Sequence, residues 1–514
     1  MEKNRTIVQE RNSRVVGIDY GTTNSVVAYW DDNSQPKVVT NLEGELLTPS
    51  IVYFGQDEVL VGTSAKSMAY IDHEHTIRGS KIDLGENVVY CETEDGRKIT
   101  PITCAIEIFK YLRRSCMKFF GDDQAASKAV ITVPADFKEP ERQAVKKAAE
   151  SAGIQVLALI HEPTAAALAC GLSERADAMY LISDFGGGTY DASIVQFSGG
   201  KSEVITSAGE KKLGGKDIDD ILLKLVSDKF RAEDGIEVTP ENCPDDYYDI
   251  TESVIRAKHL LSSKREVKIV ARAMGTQKIL EITREQYDAA IAGVVKRVHD
   301  LVNRVLEQAS MKPEDITAVI PVGGSSRIPS YREYLERKFG KNKVIGGKVS
   351  PDLAIAEGAV IKAAKLISTG GEIISSETLQ SIPGPPIETM DVVSHSLGVA
   401  VQEQASEVLF CSVILEKDTP APCQVEKLYA SVDGRQTGFN IQVLQGEGGR
   451  PVSECTVVAE KLLNFPARNP EEKSIKVNIG YDESGMVKVV VEDLVSKKAE
   501  DITIDFYAKE KSEA

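Results

Sequence analysis

The chain changes its hydrophobic rhythm once. Up to about Thr369, short apolar and β-branched runs alternate with long amphipathic stretches. Examples are VVGIDYG, the segment around Pro140–Gly153, and MYLISDFG. Such alternation predicts strands interleaved with helices and an α/β architecture. From Asp391 onward the period falls to two. Phe439, Ile441 and Val443 alternate with polar neighbours, as do Ile475, Val477 and Ile479, and then Ile502, Ile504 and Phe506. Asp433-Gly434, Gly446 and Ser484-Gly485 separate these runs as turn signals, and no helical period intervenes. Residues 391–510 therefore predict a β-sandwich. Between the two regimes lies a Gly-, Ser- and Pro-rich stretch, which reads as a linker over residues 371–390.

The first regime contains the same pattern twice. VVGIDYGTTNSVVAYW around Asp19 and YLISDFGGGTYDASIV around Asp184 each run from an apolar strand ending in Asp, through a Gly/Thr turn, into a second β-branched strand. The two aspartates stand 165 positions apart, about the size of one α/β lobe. A duplicated lobe that presents a strand–turn–strand to a shared cleft can grip a polyphosphate from two sides. In the first turn, Gly21, Thr22, Thr23 and Asn24 let backbone N–H groups and hydroxyls approach phosphate, because glycine imposes no Cβ. The second turn, Gly186, Gly187, Gly188 and Thr189, repeats the logic, with Asp191 following it. Asp19 and Asp184 would repel a phosphate, so their natural task is to hold a divalent cation, through water as magnesium prefers. Ordinary glycine-turned hairpins would explain one copy; two matched copies flanked by aspartates argue for ATP binding and hydrolysis.

Three further motifs are weaker alone. Ala318–Pro329 (AVIPVGGSSRIP) is a strand, a Gly323-Gly324 turn, then Ser325, Ser326 and Arg327 before a helix with Pro329 in its first turn. Ile255–Ser263 is an amphipathic helix with Lys258, His259 and Ser262 near one polar side; a solvated helix face would carry the same residues. Glu162 sits where a strand meets an alanine-rich helix, in a position to reach a cleft or simply to start the helix.

The 514 residues are too many for one core, so two to four domains are expected. A net charge of −17 disfavours nucleic acid as a main partner. No apolar run approaches a membrane span, and no apolar stretch precedes Val15 as a secretory signal would require. None of the eight cysteines forms a CxxC pair, so reduced thiols in a cytoplasm are expected.

Taken together these motifs resemble the seventy-kilodalton heat-shock chaperone family, the DnaK type, over nearly the whole chain, with four motifs in order. The resemblance implies an actin/hexokinase-like ATPase domain of two duplicated lobes over residues 12–370, and a peptide-binding β-domain over 391–510 without a helical lid. It implies ATP or ADP with magnesium, potassium as a further candidate ion, extended or unfolded peptides as partners, and a J-domain co-chaperone and a nucleotide exchange factor as further ones. By resemblance, Asp19 and Asp184 match magnesium-water ligands, Thr22 and Thr23 the first phosphate loop, and Gly186–Thr189 the second, with Asp191 its partner carboxylate. Glu162 matches a glutamate holding a metal-bound water, and Lys81 the catalytic lysine; nothing local to Lys81 identifies it. Pro134 and Arg142 match an interdomain switch. Gly214, Gly215, Lys258, His259, Ser262, Gly323, Gly324, Ser325, Arg327 and Asp352 fall on the nucleotide-binding side.

The chain also departs from that pattern. Ile255 stands for a glutamate and His259 for an arginine in the adenosine helix, which predicts weaker nucleotide affinity. His161 replaces an asparagine, and PPIETM replaces the apolar run before Asp391. Phe439 and Val432 stand where smaller residues line and arch over the peptide pocket, so a narrower pocket is expected. These departures keep a second class in view, a nucleotide-binding regulatory or scaffold relative that does not cycle on clients. A sugar or metabolite kinase has no use for the C-terminal β-domain.

Overall fold

In a computed structural model, the chain is described over residues 15–502, except 32–34, 70, 172–176, 199–200, 346–349, 370–387, 390, 394, 403–407, 418, 433, 468, 470–471 and 483–486. Most of the expected linker, the turns at Asp433 and Ser484-Gly485, and Ile504 and Phe506 lie outside the described residues.

The two sequence repeats build two sheets of the same design. In the first, Val15–Tyr20 runs parallel to Lys128–Val133 on one side and antiparallel to Asn24–Trp30 on the other. Gln155–His161 and Pro36–Val38 extend it outward, and Thr48–Pro49 pairs with the start of Asn24–Trp30. In the second, Ala178–Phe185 runs parallel to Ala318–Val322 and antiparallel to Thr189–Ser198, and Lys201–Lys211 continues the sheet. Both repeats therefore end their central strand, and its aspartate, at a turn on the same side of a sheet.

Apolar faces explain how the sheets are held. One core lies under the first sheet, against the helices Pro101–Phe120 and Glu139–Ser151. A larger one lies under the second, against Gly215–Asp234, Pro244–Leu261 and Arg284–Gln308. A third joins the lobes, where Glu162–Ala169 and Ala354–Thr369 pack between the two sheets. Small residues allow that crossing. A Cβ on Gly17 would stand 2.2 Å from Val360 N, and one on Gly358 would stand 1.8 Å from Ala165 O. Backbone meets backbone there, so the lobes are joined by closely packed elements rather than by long side chains.

The period-two region forms two four-stranded antiparallel sheets. One is ordered Leu409–Leu415, Leu397–Gln402, Gly438–Gln445, Thr456–Asn464; the other Cys423–Tyr429, Ile475–Tyr481, Val487–Asp493, Lys498–Ile502. Their inner faces share one core, including Val443, Val477, Ile479, Val489 and Val491. The only helical turn among its described residues is the short Val452–Glu454. Within the stretch read as a linker, Glu388–Thr389 adds a parallel strand to Lys201–Ser202, so the second lobe's sheet gains an edge strand from it.

Candidate nucleotide site

The two repeated turns face each other across one cleft with about 940 Å³ of empty space, open solvent at its mouth included. Its lining includes Asp19, Gly21, Thr22, Thr23 and Asn24 from the first turn, and Asp184, Gly186, Gly187, Gly188, Thr189 and Asp191 from the second. Lys81, Pro134, Glu162, Gly323, Gly324 and Asp352 line it as well. The turns touch through their glycines: a Cβ on Gly187 would stand 2.1 Å from Thr23 Oγ1, and one on Gly188 3.1 Å from Thr22 Cγ2. Neither glycine has positive φ, so the need is for space, not for a left-handed backbone.

Lys81 is the residue that local sequence did not reveal. Gly79, in the left-handed region at φ 69°, redirects the chain into the 3-10 turn Ser80–Asp83, and Lys81 points inward from it. Its Nζ donates to Glu162 Oε1 at 2.7 Å, with both residues buried. Tyr20 and Phe137 rings lie 5.7 and 5.5 Å from the ammonium, on two other sides. Glu162 reaches the cleft because the strand Gln155–His161 ends there and Pro163 starts the helix immediately.

Lys81 faces four carboxylates. Burial pushes Asp19 up to about 7, aided by Glu162, while Lys81 and a hydrogen bond from Thr132 Oγ1 (3.1 Å) pull it down. Burial pushes Asp184 up to about 8, with Glu162 and Asp19 adding to it. Asp191 is raised as well, by burial and then by Asp136, Glu162 and Asp184. The pocket is thus lined by more carboxylates than its two lysines, Lys81 and Lys211, can balance, and an added cation is the physical remedy. Among the described residues no three His, Cys, Asp or Glu side chains close on one point as direct metal ligands would. Holding a cation through its water shell does not require them to.

The remaining candidates stand outside that lining, and several brace it. Ser325 Oγ donates to Gly186 O at 2.8 Å, and the amides of Gly215 and Lys216 donate to Gly186 O and Gly187 O. Lys258 Nζ donates to Gly215 O at 2.9 Å and to Asp219 Oδ2 at 2.8 Å. Gly214 packs against Gly187, where a Cβ would stand 2.6 Å from its carbonyl carbon. Arg327 Nη1 pairs with Asp352 Oδ2 at 2.6 Å. His259 keeps an exposed edge while its ring is partly desolvated against the protein; that desolvation, then the charges of Lys258 and Lys66, lower its pKa, and Asp352 opposes them. Ser262 caps its own helix end, its hydroxyl donating to Lys258 O at 3.5 Å.

Sequence reasoning missed Asp219, Asp136, Phe137 and Lys211. Asp219 has the clearest role, since it holds Lys258, and burial raises it to about 6 despite that lysine. Its position one turn beyond Gly215 on an amphipathic helix is the only local signal.

The β-sandwich meets the first lobe beside this site. Arg142 is 2% exposed; its Nη1 lies 3.2 Å from His161 Nε2 and its guanidinium 6.0 Å from the Tyr481 ring. Glu139, on the same helix, accepts from the amide of Val487. Of the two departures expected to narrow a peptide pocket, Phe439 is buried in the sandwich core, its ring 5.7 Å from that of Phe465, whereas Val432 is 62% exposed.

A family model described as Hsp70 protein matches residues 15–103 and 80–514. Among curated proteins, the chain is 33% identical over 506 residues to the chaperone protein DnaK of Thermotoga neapolitana, covering 96% of this chain and 81% of that protein. It is likewise 33% identical over 500 residues to the chaperone protein DnaK of Thermosipho africanus, covering 95% and 79%.

Proposed function

Since the chain belongs to the Hsp70 protein family, we propose that it is an ATP-dependent molecular chaperone, hydrolysing ATP slowly in the cleft and binding extended apolar peptides through the β-sandwich. The observation that carries this reading is the set of Asp19, Glu162, Asp184 and Asp191 around Lys81, the first two and the lysine buried and the other two partly buried, under two glycine turns whose close approach leaves no space for a Cβ at Gly187. Asp19 and Asp184 would hold magnesium through water, and Glu162 would orient one such water. Bound magnesium would neutralise phosphate charge and offset the repulsion among these carboxylates. The amides and hydroxyls of Gly21–Thr23 and Gly186–Thr189 would bind the phosphates from both lobes. Lys81 would stabilise charge that builds up on the transferring phosphoryl. Gly323, Gly324, Ser325, Arg327, Lys258, His259, Ser262, Gly214, Gly215 and Asp352 would flank the nucleoside, and potassium is a further candidate ion beside the phosphates.

A J-domain protein and an exchange factor are the partners expected of such a cycle. No helix among the described residues is long and apolar enough to cross a membrane, and a cytoplasmic setting with no nucleic-acid partner fits the acidic charge. Single-turnover ATP hydrolysis with and without an apolar heptapeptide tests the reading. Magnesium-dependent hydrolysis should exceed that of Lys81→Ala and Asp184→Asn, and hydrolysis no faster than those variants sinks it.

One observation favours the second reading, a nucleotide-binding regulatory relative that does not cycle. Phe439 fills core space where the family resemblance expects a smaller pocket residue. Nucleotide binding without peptide binding at high protein concentration would select it.

A further inference from the structure

Lys211 belongs to the second lobe, yet its side chain ends among atoms of the first. It closes the strand Lys201–Lys211 and stands opposite Thr189 of the second glycine turn. Its neighbours are tied to that lobe. Lys212 N donates to Gly188 O at 3.1 Å, and Arg297, on Arg284–Gln308, pairs with Glu210 and donates to Lys212 O at 3.0 Å. From this fixed root the side chain crosses the cleft: its Nζ donates to Glu141 Oε1 at 3.0 Å and stands 3.5 Å from Ile82 O. Glu141 is an anchored acceptor, buried in the first turn of Glu139–Ser151, with its Oε2 accepting from Lys138 N at 2.6 Å. Ile82 follows Lys81 on the 3-10 turn Ser80–Asp83, and its side chain meets the same lobe a second time. A Cβ on Gly188 would stand 3.6 Å from Ile82 Cδ1. The second lobe therefore touches the turn that carries Lys81 at two points, Gly188 and Lys211. Burial works against the Lys211 ammonium, but Glu141 and then Asp136 and Glu86 more than offset it and raise its pKa.

We propose that Lys211 is a positioning residue for hydrolysis: reaching from the second lobe to Glu141 and Ile82 of the first, it sets the 3-10 turn so that Lys81 faces the transferring phosphoryl. The inference rests on the ATPase reading above and adds to it how the charge of Lys81 is aimed. Lys211 already has Glu141 as its counter-charge, so what it supplies to the cleft is geometry rather than a free cation for phosphate. Its side chain is 41% exposed, and an ion pair of that kind adds little to stability. Turnover is far more sensitive, because a displacement of about 1 Å in a group that stabilises transition-state charge costs on the order of a hundredfold in rate. Breaking the pair therefore acts on the chemical step while leaving melting almost in place.

The test compares the full chain with Lys211→Met, Lys211→Arg, Glu141→Gln and the Lys211→Met/Glu141→Gln double variant. Met removes the charge and keeps the length, and Gln can still accept from Lys138 N, so the helix start survives. Single-turnover hydrolysis should slow by about ten- to a hundredfold in Lys211→Met, with magnesium-ATP affinity by calorimetry unchanged and melting shifted by no more than about 4 °C. Glu141→Gln should slow it equally, and the double variant no further than either single, as for two residues acting as a unit. Lys211→Arg, which can donate to the same carboxylate, should restore the rate. Without nucleotide, amide exchange should speed up in Lys211→Met at Ile82 and Leu84, whose N–H groups close the turn onto Gly79 O and Lys81 O. The proposal is overturned if Lys211→Met weakens ATP affinity at an unchanged rate, if the two single losses multiply, or if exchange at Ile82 and Leu84 does not change. A parent that hydrolyses no ATP sinks the ATPase reading by itself, and the exchange measurement, made without nucleotide, still decides whether Lys211 sets the turn.

Discussion

Lys81 Nζ and Glu162 Oε1 lie 2.7 Å apart, and the two residues are 4% and 9% exposed. Their pairing sets the charge balance of the cleft. Lys81→Ala leaves Glu162 buried among three other carboxylates with no cation, a change that costs about 3–5 kcal/mol when a buried pair is broken. Melting of the nucleotide lobes should fall accordingly. Adding Glu162→Gln should restore much of that stability, because the uncompensated charge goes with it. Hydrolysis should not recover: a single-turnover assay is expected to show a loss of roughly 10²–10³-fold in both variants. Restored hydrolysis in the double variant would remove Lys81 from the chemistry.

Gly187 is the tightest point between the turns, with Thr23 Oγ1 at 2.1 Å from its missing Cβ. Gly187→Ala must push the lobes' turns apart, and overpacking of this kind costs about 1–3 kcal/mol. The expected readout is ATP affinity, weakened by about tenfold or more, measured by calorimetry with magnesium present. Gly293→Ala is the control, since it lies inside Arg284–Gln308 with nothing within 4 Å. It should raise stability by up to about 1 kcal/mol through helix propensity and leave affinity unchanged.

What was legible in the sequence was whatever chemistry needs in contiguous form. The strand–turn–strand repeats around Asp19 and Asp184, the Gly323-Gly324 turn and the strand-to-helix position of Glu162 all recur in the structure where their patterns put them. Lys81 was not legible, because a 3-10 turn after Gly79 and the packing of Tyr20 and Phe137 carry it inward. Asp219 was hidden for the same reason: its partner Lys258 is on another helix, Pro244–Leu261. Arg142 meeting Tyr481, and Glu388–Thr389 joining the second sheet, are tertiary events with no local period to announce them. At Phe439 the period correctly placed the side chain on an inner face. Pattern alone could not say whether that face was core or pocket, and the neighbouring ring of Phe465 makes it core.

Phe439 is therefore a structural residue with a cost attached to its removal. Phe439→Ala should destabilise the sandwich by about 3–5 kcal/mol, the range for deleting a buried aromatic side chain. The effect should appear in the sandwich's own calorimetric transition and leave the transition of the nucleotide lobes in place. If that variant binds an apolar heptapeptide more tightly than the parent, the volume of Phe439 is what restricts the pocket. An unchanged transition would show that the ring is not packed as the Phe465 contact requires.

Glu139 gives the contact between lobe and sandwich a defined pH dependence. Burial raises its pKa from 4.5 to about 7, although Arg142, a hydrogen bond from Gln143 and the amide of Val487 all favour its anion, and Asp482 adds to the rise. Among the described residues its Oε2 has no hydrogen-bond partner. A carboxyl raised on folding lowers stability progressively as pH climbs through 4.5, and the cost is complete above 7. Glu139→Gln should thus match the parent only near pH 4 and melt higher above pH 7, by as much as about 3 kcal/mol in stability. His395, facing Lys138, Lys417, His161 and Arg142, works with the opposite sign: burial lowers it to about 4, so it costs stability as pH falls below 6.5. Both proteins carry that histidine, so it cancels in the comparison. A melting difference that stays constant from pH 5 to 8.5 would show that Glu139 does not titrate at this contact.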